Sequence, residues 1–493
     1  MTSPQIRIWH LMLLLVATLV TPQAHAVTVF TVDTVVDQID DDTTDGRCHT
    51  ATNACSLRAA IMQANYLSVP LTRIDLPAGT YLLTRPPTAG DGEDGGDLNF
   101  SLPVNPEQIV DIVGEGSAST IIDANQSDGV IYIAPTRIVN ISGVTIRNGY
   151  PTIGSGGGIF NYGALTITDS TIEDNQGYFG GGIRNAGTNT VSLTRCVIQH
   201  NSAHTGAGID NEGTLILDHS IIRSNVAEYQ GGGLYVGVYS YTTVRDSNFS
   251  DNNAQFGGAI YNDNTHQNRV FILASTLSRN SANDSGGGIE NAGYLYVVSS
   301  TISGGYANKN GGGIGNSCAA FLYNTSVIDN DADHDRDESG GIGGGIYTGA
   351  FAQFTTFNSL IAANTLFNAP IYDDCNGIVQ AYGWNLFGEI ASCTFTGNGA
   401  AAHGLVSLNT IGPLQDNGGP TPTHALLPGS EAIDSTYAQG CIDQNGALLA
   451  TDQRGATRVV SAVFGNPRRC DVGAFEYGAT SPLDDLIFEN GFD

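Results

Sequence analysis

A phrase of glycines closed by one branched apolar residue returns eight times in this chain, and nothing else in the sequence constrains the fold as tightly. The apolar residues are Ile159, Ile183, Ile209, Leu234, Ile260, Ile289, Ile314 and Ile346, spaced by 24, 26, 25, 26, 29, 25 and 32 residues. A period near 25 is the mark of a solenoid, in which each repeat buries its apolar face only against its neighbours.

Within one period the apolar residues alternate. "LTITDSTIEDN" places Leu165, Ile167 and Ile172 on repeating slots, and "LILDHSIIRSN" places Leu215, Leu217 and Ile222 there. Alternation with branched residues means short strands with one face inward. Each unit reads as three strands, GGGIxN, LxIxxS and xTIxxN, with no helical stretch. Strands wound the same way form a single-stranded parallel β-helix, all-β and pectin-lyase-like, and right-handed by the rule for parallel crossovers. Asn175, Asn201, Asn225, Asn252, Asn280, Asn330 and Asn364 form one predicted column, which Gly305 interrupts. Asn161, Asn185, Asn211, Asn262, Asn291 and Asn316 form a second. Asparagine tolerates the left-handed conformation of a corner, and amides stacked ~4.8 Å apart can bond from turn to turn.

The ends need covers. "CSLRAAIMQAN" puts Leu57, Ile61 and Ala64 at helical spacing, which predicts a short amphipathic cap. Past Ile371 the glycine phrase fades while cysteines and prolines appear, so this part is expected to close the other end. The resulting division is a signal peptide (1–26), an N-terminal cap (27–70), the repeats (71–370), a closing region (371–478) and a tail (479–493).

The signal reading rests on Arg7, the apolar "LMLLLVATLV" and the small-x-small "AHA" at Ala24–Ala26. The apolar run, about half of the ~20 residues that cross a bilayer, is too short for a membrane anchor. After cleavage no transmembrane helix is expected. An exported chain favours disulfides among its 8 cysteines. Local spacing pairs Cys48 with Cys55, Cys375 with Cys393 and Cys441 with Cys470. Cys196 and Cys318 fall five turns apart, ~24 Å, beyond the ~7 Å reach of a disulfide.

Asp and Glu number 48 against 19 Lys and Arg, a net charge of −29. Such a chain will not track a phosphate backbone, so nucleic acid is excluded as a partner.

Motifs at both ends carry a family resemblance. "CSLRAAIMQAN" resembles the CSLREA motif of secreted bacterial β-helix proteins, with Ala59 where that motif has Glu. "GPLQDNGGPTPTHALLPGSEAID" (Gly412 to Asp434), "DQRGATR" (Asp452 to Arg458) and "CDVGAFE" (Cys470 to Glu476) look like the choice-of-anchor Q domain. The GGGI repeats are similar to those of polymorphic outer membrane proteins, and "LIFENGFD" (Leu486 to Asp493) resembles a terminus common among exported Gram-negative proteins. The resemblance implies export to a surface or extracellular place. It implies no catalytic residues.

Candidate chemistry is sparse. Asp373 and Asp374 form a paired-acid motif, but the Gly-His-Gly and Arg-Ile-Lys that accompany it in polygalacturonase-like enzymes are absent. Pectate-lyase-like chemistry needs Ca²⁺ and a basic groove, and the chain is poor in cations. Asp210 and Glu212 share the outward face ~7 Å apart, within the ~6.5–9.5 Å of an inverting glycosidase pair; the competing reading is two solvated carboxylates. Phe160, Tyr235, Tyr261 and Tyr347 occupy the outward slot beside the core residue. Of these, Phe160, Tyr235 and Tyr261 are the candidate glycan contacts, set against a simple sheet-stabilising stack. Asp331, Asp333, Asp335 and Asp337 alternate in the longest repeat and are candidate Ca²⁺ ligands, although the EF-hand glycine and flanking helices are missing. "QIDDDTTDG" (Gln38 to Gly46) is a weaker acidic run. His200, His204, His219 and His266 are scattered and form no ligand set. The reading that fits best is a monomeric, adhesin-like, glycan- or matrix-binding scaffold without catalysis or cofactor. The rivals are a polysaccharide lyase or glycoside hydrolase, which would need a cleft of convergent polar groups, and a structural spacer with no ligand.

Overall fold

The computed structural model describes residues 27–87, 92–151, 156–237, 239–263, 268–335, 340–367, 371–396, 403–436, 440–458 and 469–481. The signal segment 1–26, Asp337, His266 and tail residues 482–493 lie outside these. The chain is a parallel β-helix. Ile159 pairs in register with Ile183, Ile183 with Ile209, and Ile209 with Leu234. All eight repeat residues are fully buried and stack into one continuous core.

Each of the eight glycine-repeat turns has four strands, not the three expected. In the turn of Ile159 they are Ile159–Asn161, Ala164–Thr168, Thr171–Glu173 and Gln176–Phe179. We call their stacks the GGGI face, the LxI face, the TI face and the fourth face. The apolar side chains that the fourth face buries are alanines, Ala203, Ala227, Ala254, Ala282, Ala307 and Ala332. One alanine per turn gives no hydrophobic alternation, so the strand is silent in the sequence.

The asparagines stack as predicted, but by a different corner geometry. Left-handed φ falls on the residue before each one, Asp174, His200, Ser224, Asp251 and Arg279, at 52–57°. The asparagine itself turns inward. The backbone N–H and the Nδ2 of Asn201 both donate to Asn225 Oδ1 at 3.0 Å, and Asn225 repeats this toward Asn252. The column ends on Asp374, whose Oδ1 accepts from the N–H and Nδ2 of Asn364 at 2.9 and 2.7 Å. Asp373 Oδ2 accepts from the Gly343 N–H at 2.6 Å. The paired acids at 373–374 therefore terminate a ladder. At the GGGI corner, Gly180 has φ +65° and a side chain on Gly181 would strike the carbonyls of Ser202 and Ala207.

The helix Leu57–Tyr66 packs over the first turns as a cap, with Ser56 Oγ accepting from the Ala59 N–H. The parallel ladder exceeds the expected 71–370 span at both ends. Val27–Thr31 pairs with the strand Leu71–Leu76, and Cys375–Tyr382 pairs with Cys393–Thr396. The three expected disulfides form. Cys196 and Cys318 are free; burial pushes the Cys196 thiol up to about 12.

Of the region expected to close the far end, the part up to Leu405 continues and ends the coil, whereas the part from Ile411 onward takes another place. This later part lies along the TI face. Gln453 Nε2 donates to Thr276 Oγ1 and Thr301 Oγ1 donates to Gln453 Oε1, both at 2.7 Å. Ser303 Oγ meets His424 Nε2 at 2.8 Å, and the Ala474 N–H donates to Ser326 Oγ at 3.1 Å. The TI face offers hydroxyls and small side chains over several turns, so a polar segment can bond along it. The last turn is held by Cys375–Cys393 and the Phe387–Phe395 contact.

Candidate functional site

Strands of the GGGI face are three residues long. The outer two point inward and the middle one outward. Register therefore stacks the middle residues into a single column: Phe160, Arg184, Asp210, Tyr235, Tyr261, Glu290, Gly315 and Tyr347. The sequence-predicted contacts Phe160, Tyr235 and Tyr261 and the candidate acid Asp210 all belong to it. The tyrosines stack at 5.8 Å with planes 9° apart, and the Tyr235 hydroxyl donates to Asp263 Oδ2 at 2.8 Å. Burial, then Asp263, raises the Tyr235 hydroxyl well above the usual phenol range, and burial carries Tyr261 to about 12.

Asp210 is only 1% exposed, and its Oδ1 has no hydrogen-bond partner among the described residues. Burial pushes its carboxyl up to about 7; the Arg184 guanidinium one turn away opposes this and Glu212 adds to it. Glu212 instead faces solvent and meets Arg184 Nη2 at 3.3 Å. Three turns on, Glu290 repeats the situation. Burial pushes its carboxyl to about 7, and its Oε2 has no partner. Gly315 explains how Glu290 fits: any side chain there would collide with Oε2.

The fourth face runs beside this column and adds a ring ladder that the sequence did not reveal. Tyr178 stacks on His204 at 4.9 Å, and His204 on Tyr229 at 5.8 Å. Tyr178 is the first rung and is 56% exposed. His204 Nδ1 lies 3.2 Å from Glu228. Arg184 bridges the two faces, its guanidinium 4.6 Å from the Phe179 ring and 5.6 Å from the Phe160 ring. Its Nε–H is buried without a partner among the described residues. Together Tyr150, Gln176, Tyr178, Phe179, Arg184 and His204 border a cleft of about 700 Å³. A second hollow of about 400 Å³, reaching Asp174 and His200, shares Tyr150, Gln176 and Ser202 with it.

Arg184 and Glu290 were legible in principle, since each follows its repeat isoleucine as Phe160 does. The ladder was not, because the fourth strand carries no apolar signal. Phe160 borders Arg184 at the cleft, whereas Tyr235 and Tyr261 lie two and three turns past Arg184 along the column.

Of the candidate Ca²⁺ ligands, Asp331, Asp333 and Asp335 lie among the described residues. Asp331 accepts from Thr365 Oγ1 and meets His334 Nδ1, both at 2.8 Å. Among the described residues, the groups that bring three metal-capable side chains within 4.8 Å are Asp40, Asp41 and His49, and Asp218, His219 and Asp246; Asp331, Asp333 and Asp335 form no such group.

Among the described residues, no helix is long and apolar enough to cross a membrane. No family model matches the chain. No curated protein matches it. Among solved structures it is similar to pectate lyase Pel9A, at 12% identity over 91% of this chain and 96% of that one, with a TM-score of 0.39. It is also similar to the PL6 family alginate lyase AlyGC, at 13% identity over 81% of this chain and 55% of that one, with a TM-score of 0.37.

Proposed function

We propose that this chain is an exported scaffold that binds a glycan of a cell surface or matrix in the cleft beside Tyr178, without turning it over. The cleft carries the reading. It combines exposed ring surface, which packs on the apolar face of a sugar, with the charged Arg184 side chain on its border, a donor suited to sugar oxygens. Export is supported by the N-terminal sequence, the three disulfides and the resemblance to CSLREA-type proteins with a choice-of-anchor Q domain.

Hydrolysis is the second reading, favoured by Asp210, a carboxyl near pH 7 two residues from Glu212. Its burial counts against it, because a general acid has to reach the glycosidic oxygen. A glycan array run with reducing-sugar and unsaturated-product assays separates the readings. Binding without product is expected. If product forms and Asp210→Asn with Glu212→Gln abolishes it, the hydrolase reading stands; unsaturated product indicates a lyase. A clean array leaves the spacer reading.

A further inference from the structure

The first strand leads into the acidic run Gln38–Gly46, which is firmly held. Ser56 Oγ donates to the Gln38 carbonyl at 2.5 Å, Gln63 Nε2 donates to the Thr43 carbonyl at 3.0 Å, and Cys48–Cys55 closes the far side. Here Asp40, Asp41 and His49 each bring a ligand atom to within 4.8 Å of the others. Asp41 Oδ1 meets His49 Nδ1 directly.

Two details set this cluster apart from a solvated acidic surface. Asp40 is 5% exposed; its Oδ1 accepts from the Asp42 N–H, but its Oδ2 is buried with no hydrogen-bond partner among the described residues. A buried carboxylate oxygen without a donor is destabilising. Behind the imidazole, Asp45 Oδ2 lies 2.8 Å from Nε2. A carboxylate in that place keeps the proton on Nε2 and leaves the Nδ1 lone pair facing Asp40 and Asp41, the arrangement that supports a metal-ligating histidine.

We propose that Asp40, Asp41 and His49 Nδ1 bind one divalent ion of the zinc class, with Asp45 as the positioning residue. One nitrogen and two carboxylates suit zinc, at ~2.0–2.2 Å per bond with an open position for water. Calcium prefers six to eight oxygens. The ion supplies Asp40 Oδ2 with its missing partner and clamps the 38–49 loop onto the cap. An ion-free alternative exists, a protonated His49 bridging Asp41 and Asp45, but it leaves Asp40 Oδ2 unmet.

The test uses the full chain, stripped with chelator and titrated with zinc chloride alone. One zinc per chain and a raised melting temperature are expected, with one imidazole nitrogen in the zinc X-ray absorption spectrum. His49→Gln should abolish binding. Asp45→Asn, a change outside the ligand set, should weaken it about 10–100-fold. His219→Gln, in the other Asp-His-Asp group, should leave it unchanged. The site is disproved if stripped protein takes up no zinc, if His49→Gln and Asp45→Asn both bind as the parent does, or if His219→Gln is the change that removes it.

Discussion

The two long flanks of the coil treat their outward groups in opposite ways. On the TI flank, Thr276, Thr301, Ser303 and Ser326 are small, and each meets a partner from the C-terminal segment. On the flank formed by the GGGI and fourth faces, the outward groups are rings and charges, and Arg184 Nε, Asp210 Oδ1 and Glu290 Oε2 are left unpartnered. Both flanks are built on the same repeat, so the repeat does not set the difference. Between Thr276 and Ser326 one flank is covered by the chain itself, whereas the other leaves rings such as Tyr178 and Tyr229 exposed.

The comparison breaks most readily at the covered flank. Asp452 accepts from Arg454 Nη2 at 2.7 Å and from the N–H groups of Ala456 and Glu476 at 3.0 Å, while Arg454 lies 3.7 Å from the Phe475 ring. Asp452→Ala leaves a buried guanidinium without its counter-charge, at a cost of about 3–5 kcal/mol. Hydrogen exchange should show amides of 411–477 losing protection while the parallel ladder keeps its own. Equal loss in the ladder would mean that the flank is no separate layer.

A slightly smaller loss, about 3 kcal/mol, is expected for Asn225→Ala. It removes the acceptor of the Asn201 backbone N–H and of one Nδ2 hydrogen, and the side-chain donor to the carbonyl of Ile198. The asparagine column belongs to both flanks, so the urea midpoint should fall and exchange should rise on every face of the adjoining turns. A rise confined to one face would show that the faces unfold independently.

These elements differ in how far the sequence announced them. The asparagine column and the GGGI core were readable because each turn repeats the same contact, so one physical rule writes itself many times. Phe160, Asp210, Tyr235 and Tyr261 were placed in the right column by the same periodicity. Tyr178, His204 and Tyr229 were missed because their strand buries one alanine per turn, too weak an apolar signal to mark a strand. The C-terminal segment was read as an end cover because disulfides and prolines mark a change of structure without saying where it packs. Its actual position depends on single contacts such as Gln453 to Thr276 and Thr301, and those carry no period.

Asp210 sharpens the comparison through pH. Its carboxyl is near 3.8 when unfolded and about 7 when folded. Below pH 3.8 the proton is held in both states and ionisation costs nothing. As pH rises toward 7 the unfolded state loses the proton first, so stability falls across this window. Asp210→Asn removes the ionisation but keeps a buried polar group. It should therefore stabilise the protein at pH 8, by up to about 4 kcal/mol, and leave it unchanged at pH 3.5. An equal effect at both pH values would show that packing, not charge, governs the residue.

The smallest expected change in stability falls on the residue expected to matter most for binding. Tyr178 is largely exposed and stacks on one neighbouring ring of its ladder, so Tyr178→Ala should move stability by no more than about 0.5–1 kcal/mol. Tyr235 is half-buried, stacked on Tyr261 and bonded to Asp263, so Tyr235→Ala should cost more, about 2 kcal/mol. Binding should rank the other way. A sugar held against Tyr178 loses its ring contact, and affinity should fall about tenfold, equivalent to ~1.4 kcal/mol. The Tyr235 ring faces Tyr261, which leaves mainly its edge to a ligand, so Tyr235→Ala should hardly alter affinity. Isothermal titration with the best array ligand, alongside urea unfolding of both variants, reads the two rankings together. If Tyr235→Ala abolished binding and Tyr178→Ala did not, the binding surface would be the GGGI column and the open flank would work through its tyrosine pair.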